Sequence, residues 1–367
     1  MKVQAVVGLG FGDEGKGLMT DYLCSLSENP LVIRYSGGQQ AGHTVVLNGV
    51  KHVFSNFGSG TLRGVPTYWS EYCTMNPINL YNEFLVLKEK GVNPLLYMNV
   101  NCPVTTPYDV YFNQQHEVKK NHGSCGAGIN ATITREEQNY HLVAGDLFYP
   151  SVLKLKLGAI RKFYNFDKEL NLDDFFSSVK EILTIIIPAS TIPMGFDTII
   201  FEGSQGLLLD PTIGFFPNVT RTNTGSTNIL KMGFTPEWFL VTRAYQTRHG
   251  NGPMTNLDLK HNILVNPNET NQTNKFQGKF KRSVLDLDLL SYAICKDKEI
   301  RYSISKNLTI TCIDHIKDSY QYTYRGNLIT CSDEVYFTNT ICNILRIENL
   351  YISKSEQSNN IIKVKKI

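Results

Sequence analysis

The apolar run Val3 to Leu9 ends in Gly10-Phe11-Gly12-Asp13-Glu14-Gly15-Lys16-Gly17, and a helix-like segment, Leu18 to Leu26, follows. Strand, glycine-rich turn and helix in that order present backbone N–H groups to an anion, because the first N–H groups of a helix have no partner inside it. The stretch fits the phosphate-loop spacing G-x-x-x-x-G-K, with Gly12, Asp13, Glu14, Gly15, Lys16 and Gly17 as candidate nucleotide-binding residues. Gly17 stands where a Ser or Thr hydroxyl usually holds Mg²⁺. A metal here would need another ligand, and Asp13 is the nearest. An acid inside a phosphate loop is electrostatically odd. It makes sense if it binds metal or takes a proton from a second substrate.

Further apolar runs at 31–35, 95–100, 197–202, 239–245 and 308–313 read as strands, 31–35 as a buried parallel one. Segments 77–91, 107–121, 284–295 and, in two pieces broken near Asn165, 151–187 read as helices. Strands alternating with helices predict an α/β fold with a mainly parallel central sheet flanked by helices. Such sheets bind ligands at the carboxyl ends of their strands. Residues 266–278 are turn-rich and read as a mobile loop. One domain with small subdomains is expected over 1–367. A formal net charge of +3 singles out no partner, and the concentrated basic face of a nucleic-acid binder is lacking. Lys275, Lys279, Lys281 and Arg282, with the basic tail, are the main exceptions. Eight cysteines without a C-x-x-C pair support neither zinc nor a disulfide framework. No apolar run approaches a membrane span and no signal peptide is evident, so a cytoplasmic setting is expected.

Three more motifs follow predicted strands. Arg34-Tyr35-Ser36-Gly37-Gly38-Gln39-Gln40-Ala41-Gly42-His43-Thr44 combines glycines that admit close backbone approach with a histidine able to donate to developing negative charge. The bland alternative is a glycine turn with an incidental histidine. Phe201-Glu202-Gly203-Ser204-Gln205-Gly206, followed by Asp210 and Gly214 to Thr220, offers an amide that could read a base edge; the alternative is a buried polar network closing a loop. Thr242 to Pro253 carries Arg243 and Arg248 before a Gly-Pro turn, which suits an anionic ligand, a subunit contact or a solvated loop.

Together these motifs resemble the adenylosuccinate synthetase family. Its G-D-E-G-K-G loop is Gly12 to Gly17, and its R-Y-x-G-G-x-N-A-G-H-T is Arg34 to Thr44 with Gln40 in the asparagine place. Its F-E-G-A-Q-G-x-L-L-D is Phe201 to Asp210. Its Y-P-x-V-T-S-x-N-T is Phe216 to Thr224, with Arg221 at the serine, and its K-A-Y-x-T-R-x-G-x-G-P is Arg243 to Pro253. The resemblance implies a Mg²⁺-dependent ligase that joins L-aspartate to the 6-oxo position of a purine nucleoside monophosphate (IMP) at the expense of GTP, through a 6-phosphoryl intermediate. It implies catalytic roles for Asp13 (base for the N1 proton, and metal ligand), His43 (steadying the 6-oxygen), Lys16 and Gln205, with the Gly42 carbonyl as a second metal ligand. Gly42, His43 and Thr44 would touch the triphosphate, and Asp314, from the family's T-K-x-D, its base. Gln40, Ala41, Ser124, Cys125, Gln205 and Thr220 would contact the monophosphate. Lys279, Lys281 and Arg282 would serve the aspartate.

Departures accompany the likeness. Arginines of the aspartate loop become Lys279 and Lys281, point charges in place of bidentate forks. Cys312 replaces the lysine of T-K-x-D. The final S-x-G-P-D-R loop is reduced to Ser353 to Glu356. No arginine near Asn139–Val143 matches the one a partner subunit supplies to the phosphate, and Arg135 lies early. A divergent viral branch uses dGMP, with ATP or GTP, to make 2-aminodeoxyadenylosuccinate. That branch commonly loses the base at the place of Asp13, which this chain keeps, so the 6-oxopurine substrate comes first and dGMP second. Outside the ligase class stand a phosphate-loop NTPase switch and an inactive regulatory paralogue. The family is usually homodimeric, and a homodimer is expected.

Overall fold

A computed structural model of the chain describes residues 1–120, 125–267, 269 and 278–364. In chain order the elements are β1 (Lys2–Gly8), α1 (Lys16–Ser25), β2 (Pro30–Arg34), β3 (His43–Leu47), β4 (Val50–Phe54), β5 (Thr67–Trp69), α2 (Pro77–Glu89), β6 (Leu96–Asn99), α3 (Pro107–Lys120) and α4 (Ile129–Glu137). Then come α5 (Pro150–Phe163), α6 (Asp173–Ile182), β7 (Ile186–Ala189), β8 (Thr198–Gly206), α7 (Thr227–Lys231), β9 (Glu237–Arg243), β10 (Gln246–His249), β11 (Phe280–Ser283), β12 (Leu285–Asp286) and α8 (Leu287–Lys296). The chain closes with α9 (Lys298–Tyr302), β13 (Lys306–Thr311), β14 (Tyr320–Tyr324), β15 (Asn327–Cys331), α10 (Glu334–Leu345), β16 (Asn349–Ile352) and β17 (Ile362–Val364).

Ten strands form one sheet in the order β17-β16-β13-β9-β1-β8-β2-β5-β6-β7, parallel throughout except for the antiparallel β16–β17 pair. The expected α/β architecture is therefore present. Successive strand residues face opposite sides. Val6, Val32, Ile200 and Val241 pack with Met19 and Leu23 of α1 on one face. Val7, Ile33, Phe201, Leu240 and Ile310 pack with Leu290 and Ile341 on the other. Both faces are covered, which is why these strands read as unbroken apolar runs. A separate cluster joins Trp69 and Met98 to Leu80, Leu153, Phe175 and Ile182 at the β5–β7 edge.

Helix boundaries follow local chemistry. Asn76 caps α2 by accepting from the Ile78 and Asn79 amides at 3.0 and 3.3 Å, and Gly91 beyond its end takes φ +74°. The helix expected over 284–295 begins three residues later. Asp286 caps it through the Asp288 and Leu289 amides at 3.0 and 3.2 Å, leaving Leu285–Asp286 to pair with β14. Most of the loop expected at 266–278 lies outside the described residues. Among the described residues no helix is long and apolar enough to cross a membrane.

The central strands β13-β9-β1-β8-β2 are neighbours. All the motif loops, and Thr311 to Asp314, leave the carboxyl ends of these strands, so the topology gathers them above one stretch of sheet.

Candidate active site

The phosphate loop is shaped by left-handed backbone at Gly12 (φ +95°), Asp13 (+58°) and Gly15 (+91°). Aspartate tolerates that region because its short polar side chain clashes little. Three consecutive carbonyls are held from outside. Thr247 Oγ1 donates to the Gly12 oxygen at 2.9 Å, Arg243 Nε to that of Asp13, and Thr311 Oγ1 to that of Glu14 at 2.8 Å. Fixing the carbonyls on one side leaves the loop's amides to face the other. Glu14 folds back beneath the loop, where its carboxylate accepts from the Gly10 amide and lies 3.8 Å from Lys16 Nζ. Burial pushes its carboxyl up to about 7, with Lys16 opposing.

Gly17 has a steric reason. A Cβ there would stand 2.7 Å from His43 Cβ and 2.9 Å from Ser59 Oγ. His43 closes over the start of α1, so no hydroxyl residue fits. His43 Nδ1 lies 2.6 Å from Glu202 Oε1 in the middle of β8. The Ser59 amide donates to Glu202 Oε2 at 3.0 Å, and the Ser59 hydroxyl donates to Oε1. Burial works against the Glu202 charge, but His43, Arg34 and Ser59 together hold its carboxyl down at about 2. Burial lowers the His43 imidazole, with Glu202 opposing. The ionised carboxylate fixes the Nδ1–H tautomer, and Nε2 is buried without a partner.

Two cavities meet here. The first, about 290 Å³, is lined by all the expected phosphate-loop residues, by Gln40, Ala41, Gly42, His43 and Thr44, and by Gln205, Arg243 and Asp314. The second, about 380 Å³, is lined by Gln40, Cys125, Gln205, Thr220 and Arg221 among others. Gln40, Gln205, Leu209 and His249 form the shared wall. The Oε1 atoms of Gln40 and Gln205 are buried there without hydrogen-bond partners, as is His43 Nε2. Among the described residues the Asp13 carboxylate has no hydrogen bond either. Burial raises its pKa, with Arg243, Lys16 and His249 opposing.

Other expected site residues are placed differently. Lys279, Lys281 and Arg282 are on the walls of neither cavity. Lys281 donates to the Gly252 carbonyl at 3.2 Å and Arg282 to that of Leu264 at 3.1 Å. Ser124 lies outside the described residues. The arginines of the fourth motif are engaged within the chain. Arg243 holds the Asp13 carbonyl and pairs with Glu269 at 3.0 Å. Arg248 donates to the carbonyls of Asn251, Pro253 and Asn218 and stacks 4.3 Å above Phe11. Arg135 is wholly buried against Asp109 at 3.0 Å. Sequence reasoning missed Glu202 and His249. Glu202 could have been found, as an acid that closes an apolar run just before a glycine.

A phosphate loop beneath two joined, nucleotide-sized cavities defines a nucleotide-binding α/β protein. The adenylosuccinate synthetase family model matches residues 5–366, and the chain belongs to that family. It is 34% identical over 281 residues to the adenylosuccinate synthetase of Glaesserella parasuis serovar 5 (strain SH0165), covering 69% of this chain and 64% of the relative. It is 28% identical over 353 residues to that of Borrelia recurrentis (strain A1), covering 89% and 82%. The matched stretch thus spans about two thirds, or slightly less, of several curated relatives. The fully ligated adenylosuccinate synthetase from Plasmodium falciparum superposes with a TM-score of 0.79 at 17% identity, covering all of both chains. The succinoaminodeoxyadenylate synthetase of cyanophage S-2L, solved with dGMP and with dATP as an energy donor, gives 0.64 at 14% identity, covering 99% of this chain and 95% of that one. At these identities the two show a shared fold.

Proposed function

We propose that the chain is a ligase that phosphorylates the 6-oxygen of a purine nucleoside monophosphate, IMP first, with GTP, and then lets the amine of L-aspartate displace the phosphate. The observation that carries this is the junction of the cavities. The Gln40 and Gln205 amide oxygens on the shared wall, and the Asp13 carboxylate and His43 Nε2 beside it on the first cavity, are without hydrogen-bond partners among the described residues. A purine lactam offers its N1–H donor to the Asp13 carboxylate, beside an oxygen that His43 Nε2 meets once it is protonated.

The first cavity takes the triphosphate. Lys16 and the loop amides hold its phosphates, and the exposed Asp314 carboxylate suits the N1–H and 2-amino donors of guanine. The second takes the monophosphate, with its base against Gln205 and its 5′ end toward Cys125 and Thr220. Asp13 accepts the N1 proton, and its raised pKa makes it a better base than a solvated aspartate. An oxyanion arriving at His43 Nε2 raises the proton affinity of that nitrogen, and the ionised Glu202 beneath balances the imidazolium. In the second step the amine nitrogen forms the new bond to C6 and inorganic phosphate leaves with the oxygen.

The Asp13 carboxylate and Gly42 carbonyl are hard oxygen donors on one cavity and fit Mg²⁺, which commonly takes one or two carboxylates and completes its shell with water and substrate phosphates. When bound, it would neutralise charge on the transferring phosphoryl group. The same reading includes a single catalytic domain, a cytoplasmic setting and a homodimer, all supported by family membership.

The test is a substrate matrix of IMP, dIMP, GMP or dGMP with GTP or ATP, plus aspartate, read by mass spectrometry. The expected product is adenylosuccinate from IMP. An adduct with dGMP and none with IMP moves the chain to the 2-amino reading. Triphosphate hydrolysis indifferent to every monophosphate refutes the ligase.

A further inference from the structure

The second cavity has a charged rim that the reading above leaves unused. Arg221, next to Thr220, lines it, and its side chain is 44% exposed. The main chain on both sides is bolted down. The Thr220 amide donates to the Leu209 carbonyl at 2.8 Å, Thr222 Oγ1 accepts from the Gly37 amide at 3.1 Å, and the Thr224 amide donates to Asp210 Oδ2 at 2.7 Å. An exposed side chain on fixed backbone is how a protein aims a guanidinium.

The other arginines nearby are spent. Arg248, also on this cavity, is committed to three carbonyls and the Phe11 ring. Arg135 is sealed against Asp109 and the Val104 carbonyl. Arg221 pairs with Glu137, the last residue of α4, whose side chain is 54% exposed. Exposed pairs of this kind contribute little to stability, so an anion can draw the guanidinium away at little cost. The start of α4 points at the same space. Ala127, Ile129 and Asn130 line the cavity, and the helix has no side-chain cap and no acid in its first turn.

We propose that Arg221 is the guanidinium that grips the 5′-phosphate of the bound nucleoside monophosphate, exchanging Glu137 for the ligand. This rests on the ligase reading and deepens it. A planar fork matches a phosphate bidentately, and the amides at the start of α4 add donors from another direction. Residues on the shared wall handle the base end of the ligand, while Arg221 measures its far end.

The test compares binding of IMP and inosine, and of dGMP and deoxyguanosine, by calorimetry in the wild type and in Arg221→Ser, Arg221→Lys and Glu137→Gln, with folding checked by thermal denaturation. Arg221→Ser is expected to weaken nucleotide binding by about 10- to 100-fold and leave nucleoside binding within twofold. Arg221→Lys recovers part of the loss, and Glu137→Gln binds nucleotides as tightly as the wild type or tighter. In turnover, the loss caused by Arg221→Ser falls on KM for the monophosphate more than on kcat. Equal loss for nucleotide and nucleoside, or nucleotide affinity within twofold of wild type, overturns the assignment and leaves the ligase reading standing. A wild type that binds no purine monophosphate overturns both.

Discussion

Replacing Glu202 with glutamine tests the electrostatic centre of the site. The carboxylate is fully buried in the middle of β8, and His43, Arg34 and two Ser59 donors outweigh burial to hold it at about 2 against an ordinary 4.5. That gap corresponds to about 3 kcal/mol of preferential stabilisation of the ionised form. The folded value lies below the unfolded one. The contribution is therefore fully present above pH 4.5 and is lost as pH falls from there toward 2. The amide that replaces the carboxylate cannot titrate. It also leaves Arg34, wholly buried beside Trp69, without its counter-charge. The variant is expected to be less stable than the wild type by up to about 3 kcal/mol at pH 7, with the deficit shrinking as pH falls below 4.5. Urea unfolding of both proteins between pH 7 and pH 3 measures the gap directly. A deficit that stays constant over that range refutes the reasoning, because it would mean that the mutation costs packing rather than charge.

Further outcomes follow from the same geometry. Asp13→Asn and His43→Ala should each lower kcat by roughly 10²–10⁴ with the fold intact, as steady-state kinetics and thermal melts would show. Near-normal turnover in either rejects its role. The raised Asp13 pKa should place the acid limb of the wild-type pH–rate profile above 3.8, activity falling as pH drops; an acid limb at or below that value contradicts the base assignment. Gly17→Ser restores the hydroxyl usual in phosphate loops, but it should destabilise by about 1–3 kcal/mol and lower activity, because its Cβ meets His43. Unchanged stability with tighter Mg²⁺ dependence would show that the position is a vacant metal ligand instead.

Much of the scaffold was legible because chemistry follows hydrophobicity closely in this chain. The loop residues from Gly12 to Gly17 and from Gln40 to Thr44 come directly after apolar strands, and all face one cavity. Polar local pairing was less visible. The hairpin β3–β4 turns at Asn48-Gly49, with φ of +50° and +79°, a signal present in the sequence but easily lost between glycine-rich motifs. Strands β10, β11, β14 and β15 are short and carry polar or aromatic residues, because they sit outside the main sheet and need no unbroken apolar run. The arginines stayed open in the sequence for a different reason. A guanidinium that holds backbone carbonyls and one that awaits an anion have the same letter, and only burial separates Arg248 from Arg221.

That distinction divides the motifs into two populations. Asp13, Lys16, His43 and Gln205 present their side chains to the cavities. Arg243, Thr247 and Thr311 instead take the carbonyls of Asp13, Gly12 and Glu14, reaching in from three different strands. A phosphate loop needs its amides on one side, and a peptide cannot turn its N–H toward a ligand without turning its C=O the other way. Each of those carbonyls, once turned inward, must find a donor or carry the penalty of a buried unpaired acceptor, about 1–3 kcal/mol. The sheet order β13-β9-β1 supplies two of the donors from the two successive strands on one side of β1, and β10 supplies the third just beyond β9. The strand order and the anion site are thus one requirement. The loop can display its amides because the adjacent strands end in residues that hold its oxygens.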